Sequence, residues 1–375
     1  MKPMIENLHI KNFRAFRNIS IEGLGRVNLI TGMNNTGKSS LIEAIRILSS
    51  DSPISMISNI LDLREVIAKG RDPQSDSSDF QDEFLLSSLF MGFPEFSDKV
   101  QPIEIESTGN EHNLKLSIKP EWFTEEPTQD GVGTLVAARS SSFAKDYGVI
   151  PGVEISTLNG IRYLSLQRIQ RSLYRPILRP VMLDDVPFPC IYVSPYGGEK
   201  TSTLGPLWDK IALSDLEKDI VSALQIVDKR IKAVSMIGGE GRQSQRKAIV
   251  RVDGLISPVP LRSFGDGLNR LFGIVLSLVN ARGGMLLIDE FENGMHYSVQ
   301  EDVWRAIFKL STQLDVQVIA TSHSWDAIKA FQKVANEDPE EGVLIKLSRK
   351  GDEIIPTIFN ENELLIATQN QIEVR

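Results

Sequence analysis

With 375 residues the chain has length for about two domains, or for one enlarged domain with an insertion. Its 41% hydrophobic and 24% charged residues are a globular balance, no apolar run reaches the ~20 residues that span a bilayer, and a net charge of −8 means that any nucleic-acid contact needs a local basic patch. A single cysteine, Cys190, excludes an internal disulfide, and four scattered histidines do not make a zinc cluster.

Residues 4–13 alternate apolar and polar side chains, which predicts a strand with one buried face. Glu6, His9 and Lys11 stand where a signal peptide would need an apolar core, so a cytoplasmic protein is expected. Arg14 and Arg17 follow in Asn-Phe-Arg-Ala-Phe-Arg, and then a second strand over Ile19–Glu22. Arg26–Thr31 is a further apolar run of strand length, while Leu41, Ile42, Ala44, Ile45 and Leu48 repeat at helical spacing. Between these lies Gly32-Met33-Asn34-Asn35-Thr36-Gly37-Lys38-Ser39, which fits G-x-x-x-x-G-K-[ST], with Ser40 just beyond it. Phosphate binding needs this layout. The glycines let backbone N–H groups close on phosphate oxygens, and the helix start adds the positive end of its dipole. Lys38 is expected to reach the β- and γ-phosphates, and the Ser39 hydroxyl to bind Mg²⁺.

Residues 49–59 read as a connection and residues 70–83 as an exposed loop rich in Asp, Ser, Gln and Gly. Short strands are predicted at Ile103–Ser107, Leu114–Ile118, Thr134–Ala138, Val153–Ser156 and Ile191–Val193. Residues 155–183 contain no acid yet carry Arg162, Arg168, Arg171, Arg175 and Arg179. Leu166, Ile169, Leu173 and Ile177 fall on one helical face with Arg168, Arg171 and Arg175 opposite, and Pro176 ends the helix nearby. That face is either a phosphate-contacting or acidic-partner surface, or a solvated surface whose arginines pair with acids elsewhere. Only Tyr163 and Tyr174 fall among the arginines, so they are a weak nucleic-acid signal. Residues 206–234 read as largely helical, and Lys247–Val252 with Leu255–Val259 as a hairpin around Asp253-Gly254. Gly238-Gly-Glu-Gly-Arg242 precedes no helix and reads as a turn rather than a phosphate loop.

Gly284-Met-Leu-Leu-Ile-Asp289-Glu290 is a buried apolar strand ending in two acids, the Walker B arrangement. Asp289 is expected to hold Mg²⁺, directly or through water, and Glu290 to act as general base on the attacking water. A helix over Ser298–Leu314 leads to the apolar strand Val316–Ser322 and then to His323. Val343–Leu347 and Ile354–Ile358 read as a closing strand pair, and residues 361–370 as a final helix.

The run from Leu8 through the P-loop, with Ser263-Phe-Gly265-Asp-Gly267 some twenty residues before the Walker B strand, resembles the SMC, RecF and OLD-like (overcoming-lysogenization-defect) ATPases. The likeness covers about 1–50 and 255–335 and leaves the middle unexplained. It implies an α/β fold: an ABC-type P-loop NTPase head, with a mixed, mainly parallel sheet flanked by helices, an antiparallel side sheet and an inserted subdomain. Residues 1–50 and 190–375 are expected to form the head, and 51–189 the side sheet plus insertion. By the same resemblance Ser263, Gly265 and Gly267 face the γ-phosphate of a second subunit's ATP, which implies a homodimer or higher homo-oligomer. His323 takes the switch position on the γ-phosphate. Arg14 is either a nucleotide-side arginine or a solvated strand-end arginine. Phe291-Glu-Asn-Gly-Met-His296 stands where the D-loop sits, in a form closer to the OLD-like branch, and His296 is an interface or sensor candidate or a packed loop histidine. Gln74 and Gln81 are both open as the Mg²⁺-sensing glutamine.

No Asn-Lys-x-Asp string specifies guanine, so ATP with Mg²⁺ is the expected pair. The tail after His323 holds no Asp-x-Asp metal pair, so a nuclease, if involved, is expected to be another protein. Three readings follow. One is a stand-alone OLD-like ATPase controlling a separately encoded effector, such as a Toprim-type nuclease, in anti-phage defence. Another is a RecF-like DNA-repair ATPase that binds DNA through Arg162, Arg168, Arg171 and Arg175. The third is a scaffold whose ATP sites lock an oligomer and hydrolyse slowly.

Overall fold

The computed structural model describes residues 3–50, 52–63, 86–97, 99–109, 113–126, 134–137, 149–165, 188–195, 201–238, 246–337, 342–359 and 363. The chain opens with the hairpin β1 (Asn7–Phe13) and β2 (Phe16–Glu22), then β3 (Val27–Thr31) and helices α1 (Lys38–Leu48) and α2 (Pro53–Leu63). Next come β4 (Ile103–Thr108), β5 (Leu114–Glu126), β6 (Thr134–Ala137), β7 (Ile150–Thr157), β8 (Gly160–Ser165) and β9 (Cys190–Val193). Helices α3 (Thr201–Ile211) and α4 (Leu216–Val227) lead to β10 (Ile231–Ile237), β11 (Lys247–Val252) and β12 (Val259–Pro260). The remainder is α5 (Asp266–Asn280), β13 (Met285–Ile288), α6 (Tyr297–Leu314), β14 (Gln317–Thr321), α7 (Trp325–Ala335), β15 (Gly342–Lys350) and β16 (Glu353–Phe359).

The central sheet has the order β16-β15-β3-β14-β13-β9, parallel throughout except for the antiparallel edge pair β15–β16. Its inner strands are apolar on both faces because both faces are covered. Leu286 and Ile288, Val318 and Ala320, Val27 and Leu29 enter one core with the helices α3–α7. Met285 and Leu287, Ile319, Ile30, Ile345 and Leu347 enter a second core with α1, α2 and strands of the antiparallel sheet. That second sheet runs β2-β1-β4-β5-β7-β8, with β6 on β5, and β10-β11-β12 form a small third sheet. Buried Gln317 ties the layers, donating to the carbonyls of Ile5 and Gly25 and accepting from the Ile5 N–H.

Several expectations are corrected. Residues 53–63 form α2 rather than a connection, because Pro53 suits a first helical turn and Ile57, Ile60 and Leu61 are buried in the second core. The helix expected to reach 234 stops at Val227, and β10 alternates Ile231, Val234 and Met236 inward. Asp253-Gly254 is a turn as expected, but only Val259–Pro260 pairs with β11. Pro258 and Pro260 lack the N–H that a longer ladder needs. Arg162 lies on β8, opposite Ile155, and not on a helix. Arg168, Arg171, Arg175 and Arg179 lie outside the described residues, as do Gln74, Gln81 and most of 361–370.

Candidate active site

The parallel order brings the C-terminal ends of β3, β14 and β13 side by side, and each carries one predicted motif. After β3 the loop turns sharply: Gly32 has φ 144°, Asn35 φ 62° and Gly37 φ 89°, where Gly37 also caps α1. A Cβ at Gly32 would meet the Leu347 carbonyl at 2.5 Å, and one at Gly37 the Phe16 ring at 2.8 Å. Both glycines are therefore required by space as well as by conformation. Thr36 is buried and donates its hydroxyl hydrogen bond to the Met33 carbonyl at 2.8 Å. Lys38 Nζ donates to the carbonyls of Gly32 (2.7 Å) and Met33 (2.9 Å), so the ammonium curls over the loop. Asn34 and Asn35 are exposed at the rim, Ser39 is half-buried and Ser40 buried on the first turn of α1.

Beyond β13, Asp289 is buried and accepts a 2.6 Å hydrogen bond from Thr321 Oγ1 at the end of β14. The same Thr321 oxygen accepts the backbone N–H of Glu290 at 2.9 Å. One hydroxyl thus fixes both acids relative to the neighbouring strand. Glu290 has φ 48°, a conformation unusual for a side-chain-bearing residue, and its carboxylate accepts from Asn293 Nδ2. Asn293 also donates to the Pro195 carbonyl at 2.9 Å, which anchors the turn that presents Glu290. Burial pushes the Lys38 ammonium below its ordinary value, opposed by the charges of Glu292, Asp289 and Glu290. These carboxylates therefore face the lysine across the site.

His323 follows β14, and its partner is Glu292. Glu292 Oε1 accepts the His323 backbone N–H at 2.9 Å and lies 3.1 Å from Nδ1 of the ring. Arg14 has other company. Its guanidinium lies 2.9 Å from Glu43 of α1 and donates to the Ser88 carbonyl at 3.0 Å, with the side chain almost wholly buried. It is not a solvated strand-end arginine.

The Ser263 string forms a short turn before α5, with Gly265 at φ 98°. Ser263 and Gly265 are exposed and Gly267 is half-buried. The two glycines border an open cleft of about 440 Å³ lined also by Phe264, Gly294 and His296, among others. None of the P-loop residues lines it. His296 caps α6, accepting the Ser298 N–H, and its ring packs on Tyr297 at 4.2 Å. Within one chain, then, Lys38, Asp289, Glu290 and His323 come together, while Gly265 and Gly267 line a cleft to which none of those four contributes.

Sequence reasoning missed the residues that hold this arrangement: Thr321, Asn293, Glu292 and Arg270. Arg270 is buried on α5 and donates to the carbonyls of Ser194 (2.8 Å) and Asp289 (3.4 Å), tying the Ser263 helix to the Walker B strand. A lone arginine within an otherwise apolar helix was the available signal.

Comparison with known proteins agrees with this geometry. Residues 4–130 match a family described as an AAA ATPase domain. Residues 204–328 match an AAA domain family whose description names the AbiEii toxin of a Type IV TA system. An "ATP/GTP phosphatase" of Helicobacter pylori is 25% identical over 96% of both chains. Two solved structures share the fold with a TM-score of 0.50. One is an Smc head bound to the C-terminal winged-helix domain of ScpA, 13% identical over 96% of this chain and 98% of that one. The other is an Smc head with an extended coiled coil bound to the C-terminal domain of ScpA, derived from Pyrococcus furiosus, 11% identical over the whole of both. The chain has the fold of an ABC-type P-loop ATPase head. Its sheet order, phosphate loop and Walker B acids are those of an ATP-hydrolysing head, and no helix among the described residues is long and apolar enough to cross a membrane.

Proposed function

We propose that this ATPase binds ATP with Mg²⁺ at the P-loop and that two copies close over the nucleotide to control a partner protein. The convergence of Lys38, Asp289, Glu290 and His323 at the ends of adjacent strands carries the hydrolytic part of the reading. Ser39 and Asp289 suit the ion: both offer hard oxygen donors, and Mg²⁺ commonly takes one or two protein oxygens and keeps several waters. Bound there, the ion would neutralise charge on the phosphate oxygens. Lys38 exchanges its loop carbonyls for phosphate oxygens, and Glu290 takes the proton of the attacking water.

The exposed Ser263 and Gly265 support closure by a second copy, because they are open to solvent and the cleft beside them includes no P-loop residue. Ser263 of one subunit then meets the phosphate held by Lys38 of the other. The effector reading draws support from the two Smc heads of this fold, each bound to a domain of ScpA. For the present chain we infer a separately encoded effector, a nuclease of the Toprim type being the leading candidate, acting in anti-phage defence.

The test is the mass and composition of tagged Glu290→Gln protein, purified with ATP after co-expression with its neighbouring genes. The expected result is a dimer or larger assembly with a second protein in fixed ratio. A monomer in saturating ATP overturns closure. DNA alone, lost steeply as salt rises, replaces the effector reading with the RecF-like one.

A further inference from the structure

Five acids and bases surround the proposed phosphate position, and one of them, Glu292, has no role in the mechanism above. Its side chain is nine-tenths buried. Oε1 receives the His323 backbone N–H at 2.9 Å and stands 3.1 Å from His323 Nδ1, while Oε2 is buried without a hydrogen-bond partner. A carboxylate only accepts hydrogen bonds. An unprotonated Nδ1 at 3.1 Å would set its lone pair against an oxygen of the buried Glu292 carboxylate, so Nδ1 carries the proton. The neutral ring then presents a bare lone pair at Nε2, which repels a phosphate oxygen.

We propose that Glu292 is the positioning residue of His323, fixing the Nδ1–H form so that the ring meets the terminal phosphate only as an imidazolium. This rests on the ATPase reading of the same site. When nucleotide arrives, Nε2 takes a proton from solvent and donates it in a charge-assisted hydrogen bond, and Glu292 balances the new charge from the far side. The second oxygen matters here, because no donor among the described residues lies within hydrogen-bond reach of it.

The chain has four histidines, so its ¹⁵N-histidine spectrum is simple to assign, with His323→Gln identifying the signal. Nucleotide-free protein should show His323 protonated at Nδ1 alone. Glu290→Gln protein with adenylyl imidodiphosphate and Mg²⁺ should show both ring nitrogens protonated. Glu292→Gln can donate to Nδ1 and should switch the ring to the neutral Nε2–H form, with kcat down roughly tenfold and KM changed less than about twofold. An unprotonated Nδ1 in the unmodified free protein overturns the proposal, and so does a neutral ring in the nucleotide complex. Nucleotide binding is read separately from ³¹P signals in the same sample. Its absence overturns the ATPase reading and takes this proposal with it.

Discussion

The molecule has two glycine loops at helix starts, and they differ in what surrounds them. At the P-loop a Cβ on Gly32 or Gly37 would strike the chain's own atoms, and Lys38 is held by the loop's own carbonyls. At the Ser263 loop, Gly265 has an equally left-handed backbone, yet a Cβ there would enter open space. The first loop is packed from within its own chain. The second is shaped but uncovered, with Ser263 and Gly265 turned to the outside. That contrast is what a site divided between two copies needs: one half that binds alone, and one half that acts only on another molecule's nucleotide.

Substitutions can break the contrast in order of effect. Glu290→Gln keeps the shape of the acid but removes the base, so single-turnover hydrolysis should fall about 10²–10⁴-fold with nucleotide affinity retained. Unchanged turnover would remove catalysis from the β13 end. Lys38→Ala removes a charged donor from the packed loop and should weaken nucleotide binding about 100-fold, measured by titration calorimetry. Ser263→Arg should do the opposite of Lys38→Ala. Binding to isolated subunits stays intact, while hydrolysis and ATP-dependent association fall tenfold or more, on the order expected for losing a phosphate contact and adding a clash. Equal loss of binding in both variants would show that the two loops serve one nucleotide in one chain.

How much of this was legible in the sequence follows from how local each feature is. The P-loop is eight consecutive residues whose geometry is set by their own glycines, and the Walker B strand is a continuous apolar run ending in acids. Both could be read directly. Residues 49–59 could not, since serines and asparagines suggested a loop while Ile57, Ile60 and Leu61 were recruited by a core assembled from distant strands. Arg162 was misread because a run of arginines spanned a strand end whose partner, Ile155, sits across a turn. Glu292 and Thr321 were invisible for a stronger reason. Their roles exist only where the ends of β13 and β14 meet, through contacts spanning 31 and 32 residues.

Thr321→Val tests that junction. It removes the donor to buried Asp289 and the acceptor of the Glu290 N–H together, so stability should fall by about 1–3 kcal/mol in urea unfolding. Hydrolysis should fall further than binding, because both acids lose their common anchor.

The smallest effect belongs to the frame behind the loops. Arg305 on α6 lies 2.8 Å from Glu337 beyond α7 and also pairs with Glu301, which Lys333 holds at 2.8 Å. These helices follow the two segments that carry Glu292 and His323, and the network joins the first half of α6 to the C-terminal end of α7. Lys333 and then Arg305 hold the Glu301 carboxyl below its usual range, and Arg305 does the same for Glu337. Depressed carboxylate values stabilise the fold above the unfolded value and lose that contribution as pH falls through the folded one. The pairs are partly exposed and screened, so Arg305→Ala should cost about 0–1 kcal/mol and lower Tm at pH 7 by no more than about 2 °C. The gap from the unmodified protein should narrow as pH falls below the ordinary glutamate value of about 4.3 and close once it has passed the lower folded values. ATP binding and association should stay unchanged. If Arg305→Ala instead impaired association as strongly as Ser263→Arg, the difference between the loops would belong to the helix pair behind them and not to their own glycines.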